Sequence, residues 1–173
     1  MKKGFTMIEL IFVIVILGIL ASVAIPRLAG TRDDAEISAA VANLRTLVSD
    51  ANVYYVTKGD LKDSGGTNDA KWSAITSVSL ASSTTDPAVT TEVNLKAGGK
   101  ECIGVTLVEK TGTGTTAAPA HIKFTKNTTN SASGVCKAVV DSPSVKAYLE
   151  AKIPNVTVTN GGAIPIGSTA KIY

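Results

Sequence analysis

One carboxylate stands where the sequence can least accommodate a charge. Between Phe5 and Ile25 lie 21 residues, and Glu9 is the only charged one among them. An ionised carboxylate near the edge of an apolar slab costs several kcal/mol unless it finds a positive partner. One reading places Glu9 at the level of lipid headgroups, beside Lys3. The other runs through the bond between Gly4 and Phe5. Cutting there creates an α-amine four residues, about one helical turn, before Glu9. That amine could pair with its own Glu9 or with a neighbour's.

Other groups with chemical potential are few. Cys102 and Cys136 are the only cysteines. They are too far apart for a CxxC motif and too few for a structural zinc site. Outside the cytoplasm they read as a single disulfide closing a loop of about 35 residues, worth about 3–4 kcal/mol. The alternative is two buried free thiols. His121 is the one histidine and lies in a strand-like stretch, as a surface or packing residue. Asp60, Asp63, Asn68 and Asp69 offer oxygen ligands, but their spacing fits no defined calcium loop, so a solvated loop is the better account and no metal site is expected. No Ser/His/Asp arrangement, GxGxxG, phosphate loop or haem-attachment CxxCH is present, so neither an enzyme nor a cofactor is expected. Tyr54 and Tyr55 read as core packing rather than as an electron path. Asn127-Thr-Thr and Asn155-Val-Thr fit the simple glycosylation sequon, and the Thr-rich tracts 83–91 and 111–116 read as solvated loops.

The charge balance adds little. There are 17 Lys plus Arg against 14 Asp plus Glu, and two of the lysines, Lys2 and Lys3, precede the candidate cut. No basic cluster remains that would track a phosphate backbone, so no specific nucleic-acid site is evident.

The elements that must position these groups follow from periodicity. A largely apolar run of 21 residues in a helix spans about 31 Å, the thickness of a hydrocarbon core. The run is too long for an ordinary secretory signal, and no small-residue cleavage site follows it. Lys2 and Lys3 keep the N-terminus cytoplasmic and put everything after Pro26 on the other side. Pro26 lacks an N–H and clashes with the carbonyl of Ser22, so a kink or loosening is expected there, with Gly18 adding flexibility; a gently bent helix is the alternative. Gly18 and Ser22 also form a small-xxx-small pair suited to close helix contact. Beyond Pro26, Ile37, Val41, Leu44, Val48, Ala51 and Tyr55 form one apolar stripe, with Ala40, Leu47 and Tyr54 beside it. That pattern predicts an amphipathic helix ending at Lys58 and Gly59, packed on its own domain rather than in a coiled coil. One helix over 5–57 would be roughly 80 Å long.

The remainder reads as five organisational segments in all: a leader 1–4, a membrane helix 5–26, an amphipathic helix 27–58, a connecting loop region 59–98 and a sheet region 99–173. A helical turn is expected around 72–78. Strands are expected at 103–109 and 120–125 around a turn at 113–119, with a third at 135–140. Ser142 and Pro143 cap a short helix near 144–151. Residues 155–159 and 170–173 read as edge strands. The fold class is α+β, a long N-terminal helix packed on a small antiparallel sheet.

The run Lys3-Gly4-Phe5-Thr6-Met7-Ile8-Glu9-Leu10 resembles the processing site of type IV prepilins and type II secretion pseudopilins. Pro26 matches too, since in that family a proline ends the fully apolar half of a continuous helix. The resemblance implies the pilin fold, cleavage after Gly4 by prepilin peptidase, and N-methylation of Phe5. It implies that Glu9 meets the Phe5 amine of an adjacent identical subunit, with an inner-membrane assembly platform as a further partner. The precursor would be a single-pass inner-membrane protein, and the product an extracellular or periplasmic filament. A type IV pilus for adhesion, motility or DNA uptake is the first expectation, because the head lacks an aromatic calcium-coordinating loop like that of major pseudopilins. A secretion pseudopilus exporting protein is the alternative. A plain single-span anchored binding domain belongs to a different class again, and an uncut N-terminus would mark it.

Overall fold

The computed structural model describes residues 4–167 apart from 64, 67, 113–116 and 133, and of Ala29 only the backbone. The chain forms two compact units, 1–35 and 36–173. Helix α1 (Met7–Lys58) contributes to both and continues through Pro26. Hydroxyls on either side of that proline return to the backbone: Ser22 donates to the Ile19 carbonyl at 2.7 Å and Thr31 to the Leu28 carbonyl at 3.0 Å. The helix stops at Gly59, whose φ of +84° only glycine adopts cheaply and whose N–H donates to the Tyr55 carbonyl at 2.8 Å.

In the first unit every described side chain of residues 4–35 is exposed, although most are apolar. In the second, α1 buries Ala40, Leu44, Leu47 and Ala51, spaced 4, 3 and 4. Ile37, Val41, Val48, Tyr54 and Tyr55 flank them, partly buried against the same core. This is the stripe expected from the sequence.

The sheet against which this stripe packs has four antiparallel strands in sequential order: β1 (Val93–Ala97), β2 (Lys100–Val108), β3 (His121–Lys126) and β4 (Gly161–Pro165). Cross-strand pairs Leu95 with Ile103, Val105 with Phe124, and Leu107 with Ile122 put one apolar row on the core face. Each such fully buried side chain contributes roughly 1.5–3 kcal/mol. The edges are closed to further pairing. Ala81 and Asn94 exchange both backbone hydrogen bonds at 2.8 Å along β1, Pro165 has no N–H to offer on β4, and Ala163 donates to the Ala151 carbonyl at 2.9 Å.

Among the described residues three short helices complete the unit: α2 (Trp72–Ile75), α3 (Gly134–Asp141) and α4 (Pro143–Glu150). Pro143 opens α4 after Ser142, as expected, and α2 falls at the expected turn. Tyr148 of α4 stacks on Phe124 of β3 with ring centroids 5.3 Å apart.

Several sequence expectations are corrected. Residues 135–140 form α3 rather than a strand. Their apolar residues at 135, 136, 139 and 140 fit helical spacing as well as an apolar strand, and Cys136 and Val139 turn inward on one helical face. Residues 155–159 are not a strand, since Asn155 and Asn160 take φ of +64° and +56° and turn the chain. The edge strand is β4, which begins at the pair Gly161 and Gly162. A Cβ on Gly161 would lie 1.8 Å from the Phe124 carbonyl oxygen, and one on Gly162 2.3 Å from that of Tyr148. Glycine is required there by close backbone approach, which propensity reads as weak strand. The region 59–98 is not loop throughout, for it holds β1 as well as α2. The expected strand at 170–173 lies outside the described residues.

Candidate functional site

Residues 4–6 precede α1 and are not helical. The helix starts at Met7 because Thr6 and Glu9 occupy its N-cap and third positions and satisfy each other. The Thr6 amide and hydroxyl both donate to Glu9 Oε2, at 2.8 and 2.7 Å, while the Glu9 amide donates to Thr6 Oγ1 at 3.4 Å. This is a capping box, in which side chains replace the missing helical partners of the first turn. The T-x-x-E spacing is legible in the sequence as a capping signature, which the charge of Glu9 alone does not reveal.

Two consequences follow for Glu9. Its carboxylate is hydrogen-bonded within its own chain, which offsets part of the penalty of placing it in apolar surroundings. Both bonds also converge on Oε2, so among the described residues no donor reaches Oε1. The carboxylate therefore keeps acceptor capacity for a cation from outside. The bond between Gly4 and Phe5 lies in accessible chain ahead of the helix, with Phe5 90% exposed and nothing within 4 Å of a Cβ placed on Gly4. Gly18 and Pro26 both lie on the exposed stretch of α1, and a Cβ on Gly18 would likewise meet nothing within 4 Å. Among the described residues, α1 is the one helix long and apolar enough to cross a membrane.

Cys102 of β2 and Cys136 of α3 are joined in a disulfide with a Cα separation of 5.1 Å, both buried. The enclosed loop is also closed at Cys102 itself, where the Asn127 amide donates to the Cys102 carbonyl at 3.0 Å. Asn127 Oδ1 accepts from the amides of Thr129 and Asn130, both at 3.1 Å. The side chain of this sequon asparagine thus shapes its own turn. Asn155, at the other sequon, donates from Nδ2 to the Ala117 carbonyl at 3.1 Å.

The acidic loop is built from its own carboxylates. Asp69 accepts from Lys62 Nζ at 2.7 Å and from the Thr90 hydroxyl at 2.8 Å. Those two bonds, the lysine's first, hold its carboxyl below the usual aspartate range. Asp63 accepts from the Gly65 amide at 3.1 Å and Asn68 Nδ2 at 3.3 Å, and Asp60 from the Lys62 amide at 3.1 Å. These oxygens serve loop geometry rather than converging on one point. No group of three or more metal-ligating side chains occurs among the described residues. His121 is buried at the start of β3, its Nδ1 2.8 Å from the Pro119 carbonyl. Tyr54 donates its hydroxyl to the Lys62 carbonyl at 2.6 Å. Burial, followed by nearby carboxylates, pushes the phenols of Tyr54 and Tyr55 up, which keeps both neutral as packing residues.

Residues 1–25 match the family model of the prokaryotic N-terminal methylation motif. Over 53 residues, 31% of its length, the chain is 42% identical to the type II secretion system core protein G of Dickeya chrysanthemi and of Pectobacterium carotovorum subsp. carotovorum. It is 38% identical over the same length to that of Escherichia coli K12. These matches cover 35%, 34% and 37% of the three proteins, so the chain spans only about a third of the length of the curated relatives it matches. No solved structure matches it. The matched segment is thus similar to the prokaryotic N-terminal methylation motif and to about a third of the type II secretion core proteins G, and it stands at the head of a long helix whose second half packs on an antiparallel sheet.

Proposed function

We propose that the chain is a structural filament subunit, made as a membrane-anchored precursor and cut after Gly4 by prepilin peptidase. The observation that carries this reading is the N-terminal site. An accessible bond precedes a capped helix, and the helix exposes apolar side chains along its whole first unit. Such a surface suits a bilayer before assembly and the packed interior of a fibre afterwards. On cleavage and N-methylation, Phe5 carries a protonated amine, and Glu9 of an adjacent identical subunit receives it. The pairing sets register, while apolar helix packing supplies most of the cohesion. Pro26 and Gly18 mark where the helix bends or loosens to fit the fibre. No step calls for catalysis by the subunit itself.

The fibre is a type IV pilus serving adhesion, motility or DNA uptake, exported through an inner-membrane assembly platform. The second reading, a periplasmic pseudopilus for protein export, is favoured by the identity shared with type II secretion core proteins. Mass spectrometry of the N-terminus tests processing, and a chain still beginning at Met1 or Lys2 rejects it. Glu9→Leu is expected to yield a processed, membrane-inserted protein absent from fibres, and normal assembly of that variant removes the register role. Labelling of surface fibres, against fibres confined to the periplasm, separates the two systems.

A further inference from the structure

Glu9, Arg27 and Asp34 fall on one line along α1. Eighteen residues, five full turns, separate the first two. Seven separate the second two, about 20° short of two turns. Both Arg27 and Asp34 are exposed, and no ion pair joins either to another described residue. They cannot serve each other within one helix. Seven residues of helix rise about 10.5 Å. A helical side chain also leans towards the N-terminus, which carries the Arg27 guanidinium away from Asp34.

The displacement that would bring them together between two copies matches one already required. From Glu9 back to the N-cap Thr6 is three helical residues, about 4.5 Å. Phe5 lies outside the helix and adds at most about 3–4 Å, so its amine sits up to about 7.5–8.5 Å before Glu9. A parallel copy whose amine reaches this Glu9 is therefore advanced by about that distance. The same advance carries the copy's Arg27 to within about 2–3 Å of the level of Asp34, a difference the long arginine side chain absorbs. The opposite stagger faces Arg27 with apolar residues near Leu20, and no stagger at all sets Arg27 beside Arg27. Charge therefore favours one direction and roughly one distance.

We propose that Arg27 of each subunit pairs with Asp34 of a neighbouring copy, a second contact that selects the same stagger as the Phe5 amine and Glu9. The pair lies outside the apolar stretch, where it aligns helices before the buried pair is formed. This inference rests on the filament reading above.

The test uses the full chain in cells that assemble it, scoring fibre yield alongside processed, membrane-inserted subunit. Arg27→Glu and Asp34→Arg should each lower fibre yield by at least about tenfold, from like charges brought together, with the membrane pool unchanged. The double variant, with the charges exchanged, should assemble as the unchanged chain does. Because the two residues lie about two turns apart, recovery reports a contact between copies. Singles that assemble normally, or a double no better than the singles, overturn the inference. Loss in Arg27→Glu alone also overturns it and assigns Arg27 to lipid headgroups instead. As a second measurement, chains carrying Arg27→Cys are mixed with chains carrying Asp34→Cys. They should give a disulfide-linked pair in fibres, and fibres without that pair count against the contact. Failure of the unchanged chain to form any fibre is a different result, and it removes the filament reading itself.

Discussion

The amide and hydroxyl of Thr6 converge on one carboxylate oxygen of Glu9, at 2.8 and 2.7 Å. This pairing holds the start of α1 at Met7 and leaves the bond after Gly4 outside the helix. Glu9 thereby closes the first turn of its own helix, and in the function proposed above it has a second task, presenting its carboxylate to a cation.

The two tasks are separable at Thr6. Thr6→Val removes the capping hydroxyl while keeping the branched shape, and should speed amide hydrogen exchange at Ile8 and Glu9 by roughly fivefold in detergent. Thr6→Ser should restore the slow exchange. Equal exchange in all three chains would mean that the cap does not hold the first turn.

The disulfide between Cys102 and Cys136 ties β2 to α3 across 34 residues of sequence. Its removal by Cys136→Ser together with Cys102→Ser should lower the stability of the second unit by about 3–4 kcal/mol. Denaturant unfolding followed by Trp72 fluorescence measures this. A dithiol reductant should then destabilise the unchanged chain but leave the variant where it is.

Gly162 lies against backbone that cannot move aside, with the Tyr148 and Ala151 carbonyl oxygens at 2.3 and 2.8 Å from a would-be Cβ. Gly162→Ala should cost about 2–4 kcal/mol, detaching β4 from α4. Gly30 offers the contrast: nothing lies within 4 Å of its added Cβ, so Gly30→Ala should leave Tm unchanged or slightly raised.

Acid sensitivity follows from Asp69. Its carboxyl is held below the usual aspartate range, first by Lys62 and then by Thr90. A carboxyl with a lowered folded value adds stability that is complete above its unfolded value and lost as pH falls through the folded one. Asp69→Asn should therefore be less stable than the unchanged chain near pH 7, with the gap closing below about pH 4. A gap in Tm that stays constant from pH 7 to pH 3 would detach the effect from this carboxyl.

The sequence by itself determined the N-terminal unit, because everything that defines it is local. Span length, the lone Glu9, the pair Gly4 and Phe5 and the T-x-x-E spacing all act within a few turns of one helix. The stripe from Ile37 to Tyr55 was equally legible, since helical period writes burial directly into residue order. The tertiary structure decided the rest of the head. Residues 135–140 carry a pattern that serves strand and helix alike, and burial of Cys136 and Val139 against the sheet selects the helix. The sequence pattern predicts an edge strand at 155–159, yet it forms at Gly161 and Gly162, where Phe124 and Tyr148 bring backbone too close for any side chain. Asp60, Asp63, Asn68 and Asp69 read as a solvated loop, and only the fold shows that Lys62 and Thr90 close onto Asp69 within it. In each case the deciding contact comes from a residue distant in sequence, or from backbone whose approach no residue type announces.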